Sequence, residues 1–521
     1  VTEVSFTIAP GEFVALVGES GSGKTTLAGA VTGLLPGNSI IHSGTLTLGG
    51  VEVTSLSEKK WSRLRGHKVG LIPQDPGASL NPVLTIGAQI AEIFAIRGER
   101  LGRTERRIRS IELLQIAEVS RPADRLSQYP HELSGGLKQR ILIAIAFGLN
   151  PSLLVADEPT SALDVTVQKQ IMSLFDRLAH EHDSSVLFVT HDLALATDHA
   201  SRALVLRAGR LVEDAPVEDL IRFPRTSYTR ELISHARATQ TAPAATPSDT
   251  APLLQVRNLS KQFAARRGAD PVLAVDGVTF SLPAGQTTAL VGESGSGKST
   301  TARMILRLTE PTAGEIILNG RDTTQVTGRD RLAHWRAVQM VYQNPDSALD
   351  PRWTVGRIVA EPLNAMGIGD RNSRRARVQE LLNAVSLPSD TIDRRPSELS
   401  GGQRQRVAIA RSLAPSSSVV VLDEALSALD VITQERVLEL LGRLQRDFGV
   451  AYLFISHDLS IVRRIAQHVV VMQSGRVAEQ GTTAEIFDTP RSPYVRELIA
   501  AIPGRRWLHD DVSASRKDSI A

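Results

Sequence analysis

The stretch ALVGESGSGKTT at residues 15–26 recurs with a single change as ALVGESGSGKST at 289–300. Each copy follows an apolar, strand-like run, FVALV or TTALV, and opens a helix-like segment. That is the context a phosphate-binding loop requires. Glycines let backbone N–H groups converge on phosphate oxygens, and the following helix N-terminus adds positive potential. The candidate binding residues are Gly18, Glu19, Ser20, Gly21, Ser22, Gly23, Lys24, Thr25 and Thr26 in the first copy. In the second they are Gly292, Glu293, Ser294, Gly295, Ser296, Gly297, Lys298, Ser299 and Thr300. Lys24 or Lys298 reaches the β/γ-phosphates, and Thr25 or Ser299 is placed to ligate magnesium. With glycine near 7% of residues, the four fixed positions of the pattern arise by chance about once in tens of thousands of sites. Two aligned matches therefore dispose of a chance glycine-rich turn.

The repeat extends outward from these loops. The spacing is 274 from Lys24 to Lys298, 269 from Gln74 to Gln343, and 266 from Leu133 to Leu399, Asp157 to Asp423 and His191 to His457. Motif order is kept and the spacing drifts only by small deletions, so the chain reads as two copies of one domain and not as a short solenoid repeat. The first domain is placed at 1–235 and the second at 253–504. Between them 236–252, containing TQTAPAATPSDTAP, reads as a flexible linker. The last stretch, 505–521, reads as a polar tail. VDGV at 275–278 matches VTEV at 1–4, so the first copy has no counterpart of 253–274, a first strand and loop. Either the start was assigned too late, at a valine codon, which is the expected cause, or the first copy is really shortened.

Composition narrows the class. The 521 residues are 42% hydrophobic and 22% charged, enough apolar material for more than one core. Lys and Arg number 59 against 56 Asp and Glu, and a net +3 gives no charge argument for nucleic acid or a membrane surface. There is no cysteine, which excludes disulfides, thiolate metal sites, iron–sulfur clusters and cysteine nucleophiles. The most apolar run, 141–149, falls far short of the roughly 20 residues that cross a bilayer. With no secretory signal visible either, a cytoplasmic protein is expected.

LLVADE (153–158) and VVVLDE (419–424) are continuous apolar runs ending in two acids, the pattern of parallel strands buried on both faces. At the carboxyl end of such a strand Asp157 or Asp423 is placed to hold magnesium, and Glu158 or Glu424 to polarise a water for in-line attack on a γ-phosphate. Acids after a strand also serve as helix caps; the upstream phosphate loop decides for the chemical role.

With these motifs in order, both halves resemble nucleotide-binding domains of ABC transporters. The resemblance implies tandem P-loop NTPase domains of α/β class, each a mainly parallel sheet core with an antiparallel β subdomain and a helical subdomain. It implies ATP and Mg2+ as ligands and ATP hydrolysis as the activity. LSGGLKQR (133–140) and LSGGQRQR (399–406) resemble the family signature, which implies that Ser134, Gly135 and Gly136, and Ser400, Gly401 and Gly402, contact the γ-phosphate bound by the opposing domain. SALD at 161–164 and 427–430 matches the dimer-contact loop, and VTHD and ISHD make His191 and His457 the switch histidines. Gln74 and Gln343 match the loop glutamine that senses magnesium and water. Phe263 is the candidate for the aromatic that stacks on adenine, against a plain strand-core role.

The segments LIPQDPGASLNPVLTIGAQIAE and MVYQNPDSALDPRWTVGRIVAEPL are similar to those of oligopeptide, dipeptide and nickel importers, as are the tails PRTSYTRELI (224–233) and PRSPYVRELI (490–499). The likeness implies an ATP-hydrolysing subunit at the cytoplasmic face of a membrane, working with two permease subunits and an external solute-binding protein, and no nucleic acid. It also implies an intramolecular dimer of the two halves with two composite ATP sites. The rival is a soluble tandem ABC ATPase acting on ribosomes or in DNA repair; the charged helical linker of the one and the zinc modules of the other are missing here. Three departures stand out. The cysteine cluster of many such importers has no counterpart, Leu137 replaces the usual signature glutamine, and Ala425-Leu426 stands where the first copy has Pro159-Thr160.

Overall fold

A computed structural model describes residues 1–161, 163–238, 252–264, 271–427 and 429–504. Most of the stretch read as a linker, 239–251, and the stretch read as a polar tail, 505–521, lie outside the described residues. The chain divides into two compact units, Val1–Ala236 and Arg237–Ile502. The helix Ser227–Ala238 makes the first residues read as linker, 236–238, helical.

In the first unit the strands are β1 (Phe13–Val17), β2 (Thr47–Leu48), β3 (Val51–Glu52), β4 (Val69–Ile72), β5 (Leu153–Asp157), β6 (Ser185–Thr190), β7 (Arg202–Arg207) and β8 (Arg210–Pro216). Six of them make one sheet in the order β4-β5-β6-β1-β7-β8. It is parallel from β4 through β7 and ends in the antiparallel β7–β8 hairpin. Val14, Ala15, Leu16 and Val17 of the central β1 are all but inaccessible, which is why the strand is apolar without alternation. The hairpin turns through Ala208 and Gly209, both at positive φ, the arrangement of a two-residue turn that matches strand twist.

The second unit repeats the plan with β11 (Thr287–Val291), β14 (Val338–Val341), β15 (Val419–Asp423), β16 (Ala451–Ile455), β17 (His468–Gln473) and β18 (Arg476–Thr482), in the order β14-β15-β16-β11-β17-β18. It adds an antiparallel sheet of β10 (Val272–Leu282), β9 (Leu254–Phe263), β12 (Ala313–Leu318) and β13 (Arg321–Asp322). Among the described residues of the first unit, the antiparallel subdomain is reduced to the β2–β3 ribbon. Val4, Phe6 and Ile8 still alternate inward, half-buried against the core of Val14, Leu16 and Leu204, as Val278, Phe280 and Leu282 do in β10. Among the described residues no strand pairs with this segment, and its inward face packs on the core without a ladder.

Each unit also has a helical part: Ile86–Ile96, Arg103–Ile116 and Gly135–Phe147 in one, Val355–Ala365, Arg371–Ala384 and Gly401–Leu413 in the other. The T-x-G that opens the first helix of each set has a local reason. Thr85 and Thr354 cap it through their hydroxyls. A Cβ on Gly87 would sit 2.9 Å from the Leu126 carbonyl oxygen, and one on Gly356 would sit 2.6 Å from the Ile392 side chain. Among the described residues no helix is long and apolar enough to cross a membrane.

Candidate active site

Register brings the predicted residues to one edge of each sheet. Ile72 of β4 is level with Ala156, Asp157 of β5 with Val189, and Val17 of β1 with Thr190 of β6. The residues just beyond these strand ends are Gln74, Glu158, His191 and the loop from Gly18 to Thr25. The second unit places Gln343, Glu424, His457 and the loop from Gly292 to Ser299 in the same way, with Asp423 level with Ile455. The carboxyl edge of a parallel sheet is where such folds gather their ligands.

The loops are shaped by their glycines. A Cβ on Gly18 would lie 2.2 Å from the Leu206 carbonyl oxygen, and one on Gly292 would lie 2.1 Å from that of Met472, so neither position accepts a side chain. Gly23 and Gly297, at φ 99 and 102, lead into the helices Lys24–Thr32 and Lys298–Ile305. Lys24 is buried and donates to Gly18 O and Glu19 O, both at 2.8 Å. Lys298 donates to Gly292 O and Glu293 O at 2.7 Å. The β7–β8 turn braces the loop, Gly209 N–H donating to Ser22 O at 2.8 Å, and Gly475 repeats the bond to Ser296 O at 3.0 Å.

The two acids of each pair sit in different environments. Burial raises the Asp157 pKa and the Glu158 charge adds to it, while the Thr25 hydroxyl bond and Lys24 oppose. Asp423 is raised likewise, by burial and Glu424 against Arg303, Lys298 and Ser299. Glu158 and Glu424 stand in the left-handed region at φ 46 and 48, a conformation that costs a non-glycine residue about 1–3 kcal/mol. Backbone bonds hold them there, Glu158 N–H to Val189 O and Glu424 N–H to Ile455 O, both 2.9 Å. Gln74 Nε2 donates to Glu158 Oε2 at 2.9 Å, and His191 Nδ1 lies 3.1 Å from Oε1. Gln343 Nε2 reaches Glu424 Oε2 at 2.6 Å and His457 Nδ1 lies 3.2 Å from Oε1. Burial pushes Glu158 up, but the His191 bond and charge, with Lys24 and Gln74, carry it below the usual carboxylate value. The bond to His457 outweighs burial in lowering Glu424. Burial alone would lower the histidines; their bonds and charge contacts to the glutamates raise both. Each glutamate thus favours the charged form of its histidine, and each histidine that of its glutamate.

The signature segments differ in their caps. Ser400 Oγ accepts Gln403 N–H at 3.3 Å and Gln403 Oε1 accepts Ser400 N–H at 2.9 Å, a capping box at the start of Gly401–Leu413. Leu137 has no such group, and Ser134 makes no side-chain cap to Gly135–Phe147. Gly136 and Gly402 lie against the next helix, where a Cβ would approach Val167 and Thr433 to 2.8 and 2.7 Å. The exchange of Thr160 for Leu426 is absorbed by one side chain: Gln168 Nε2 donates to the Thr160 hydroxyl at 3.2 Å, and Gln434 Nε2 to the Leu426 carbonyl at 3.0 Å. Phe263, at the end of β9, is 44% exposed with the Lys261 ammonium 5.3 Å from its ring centre, so it is not strand core. The sequence did not reveal where the tails go: Tyr228 and Tyr494 each accept a hydrogen bond from the phosphate loop, at Glu19 N–H (3.0 Å) and Glu293 N–H (3.3 Å). The tyrosine common to both tails was the available signal.

The family model "ABC transporter" matches residues 1–161 and 275–427. The chain belongs to the ABC transporter family. A second match within this ABC transporter family member, "Oligopeptide/dipeptide transporter, C-terminal region", covers 478–514 and includes the second tail. The oligopeptide transport ATP-binding protein OppD of Mycobacterium tuberculosis is 39% identical over 583 aligned residues, covering 96% of this ABC protein and 95% of its own length. The glutathione import ATP-binding protein GsiA of Escherichia coli K12 is 41% identical over 538, covering 96% and 86%. A solved dimeric structure of the bacterial ABC transporter cassette MJ0796 aligns at 29% identity over 44% of this chain and 98% of its own, with a TM-score of 0.40.

Proposed function

We propose that this chain is the ATP-hydrolysing subunit of a membrane importer for di- or oligopeptides or related solutes, among them glutathione-like compounds and nickel chelates. The chemistry rests on one observation: a carboxylate held by a histidine and a glutamine beside a glycine-built loop, formed twice. The importing role rests on the likeness to OppD and GsiA over 96% of the chain. In this reading Lys24 and Lys298 leave their loop carbonyls for the β/γ-phosphates. Glu158 and Glu424 orient water and accept its proton, Gln74 and Gln343 fix the free carboxylate oxygen, and His191 and His457 hold the other. Phe263 stacks on adenine in the second half.

The donor set fits magnesium. Asp157 Oδ1 is buried and has no hydrogen-bond partner among the described residues, and the Thr25 hydroxyl bonds the same carboxylate. One carboxylate, a hydroxyl, phosphates and waters are what that ion takes. Thr25, Asp157 and Gln74, and Ser299, Asp423 and Gln343, would hold it, where it would neutralise phosphate charge. The chain then works at the cytoplasmic face of the membrane through two permease subunits, supplied by a solute-binding protein outside.

Affinity purification of the tagged chain from native membranes, with a high-salt wash to strip surface association, tests this reading. Two polytopic permease subunits should remain bound, and their identity narrows the solute. Recovery of ribosomes or repair factors without a membrane protein would replace the importer by the soluble tandem ATPase.

A further inference from the structure

In the first unit the tail folds back on β8. The Glu213 carboxylate accepts N–H groups of Arg225 (2.9 Å) and Thr226 (3.3 Å), and the Thr226 hydroxyl accepts Thr229 N–H at 3.0 Å. The turn so fixed delivers Tyr228 into the interior, 2% exposed, with the Arg207 guanidinium 4.8 Å from its ring centre. The second unit builds the same turn, with Glu479 accepting Arg491 N–H at 3.0 Å and Ser492 N–H at 2.8 Å ahead of Tyr494. The bonds to Glu19 N–H and Glu293 N–H involve one particular peptide link. Its carbonyl, on Gly18 or Gly292, is one of the two that the loop lysine holds. That peptide is thus pinned at its oxygen by a group for which phosphate competes, and at its nitrogen by one for which phosphate does not.

We propose that Tyr228 and Tyr494 are positioning residues for the phosphate loop, which keep its first peptide in the binding conformation when the lysine turns to the phosphates. The tail thereby sets nucleotide affinity: a loop already fixed loses less freedom on binding. This inference rests on the nucleotide reading above. It concerns the phosphates and not the base, so it separates from a general loosening of the fold.

The test uses the full chain with Tyr228→Phe, Tyr494→Phe and both, which delete the hydroxyls and keep the rings. Equilibrium binding of ATP, ADP and adenosine is measured alongside melting and steady-state turnover. The Kd for ATP and ADP should rise about 3- to 10-fold at the altered site, the loss of one hydrogen bond, with adenosine unchanged, melting lowered by no more than that one bond accounts for, and KM rising more than kcat falls. An unchanged ATP Kd in the double variant overturns the proposal, as does an equal loss for adenosine with fewer competent sites, which marks a merely structural role. Should the double variant fail to fold, Glu213→Gln, which loosens the turn from outside the loop, must move the ATP Kd the same way by a smaller factor, and no movement overturns the proposal. A wild-type chain that binds no ATP refutes the nucleotide reading and this inference with it.

Discussion

In the first half the carbonyls at the end of the phosphate-loop helix are met by Arg65, which donates to Thr32 O at 3.1 Å and Gly33 O at 2.6 Å. In the second half His334 and Trp335 take over, their ring nitrogens 2.8 Å from Ile305 O and 2.9 Å from Leu306 O. The signature caps and the antiparallel strands differ between the halves as well. The glutamine–glutamate–histidine cluster does not, its four distances all lying between 2.6 and 3.2 Å. Parallel register fixes the reacting groups from the backbone, whereas the outer supports need only meet a carbonyl or a helix end, and many side chains do that.

The largest expected difference concerns the adenine side. Phe263→Ala should weaken ATP binding at the second-half site about 2- to 10-fold, the range of an aromatic stacking contact, and leave the first-half site unchanged. Titration of nucleotide into single-site variants reads this directly; equal weakening at both sites would remove Phe263 from its proposed role.

Next comes acid sensitivity. His334 is buried, and burial lowers its pKa from 6.5 against the opposing bond to Ile305, with the Arg307 charge adding to the fall. Its Nδ1 has no hydrogen-bond partner among the described residues, so an added proton finds no acceptor. The unfolded chain binds a proton near pH 6.5 that the folded second half refuses. Stability from this group is therefore complete above pH 6.5 and falls as pH drops below it toward the lowered folded value. His334→Ala should cost about 0.5–1.5 kcal/mol above pH 6.5 and flatten the acid slope of second-half melting; an unchanged slope would deny the difference between the supports.

The smallest effect tests the signature cap. Leu137→Gln should restore a capping box and raise the stability of the first half by about 0.3–1 kcal/mol, and Gln403→Leu should lower that of the second by a similar amount. Thermal melting that moves in neither variant would show that the box carries no weight.

Legibility followed the same division. The phosphate loops and both acid pairs stood out in the sequence because phosphate and magnesium chemistry demands those residue types after a strand, whereas Gln74 and His191 stood out only through the family resemblance. The Gln74–Glu158 bond was not, since it joins residues 84 apart through a register that no local pattern encodes. The left-handed φ of Glu158 and Glu424 carried no glycine to announce it. Arg65 and His334 share a task without sharing chemistry, so the repeat could not pair them, and the β9 strand of the second half showed only as part of 253–274, unmatched in the first half of this sequence.

The account holds that both halves of one chain hydrolyse ATP with the same cluster. Steady-state ATP turnover of Glu158→Gln, Glu424→Gln and the double variant tests it most directly. Each single substitution should remove half or more of the wild-type rate, and the double should lower it about 10²- to 10⁴-fold, the usual contribution of a positioned base. Full wild-type turnover in either single variant would contradict equal participation of the two sites.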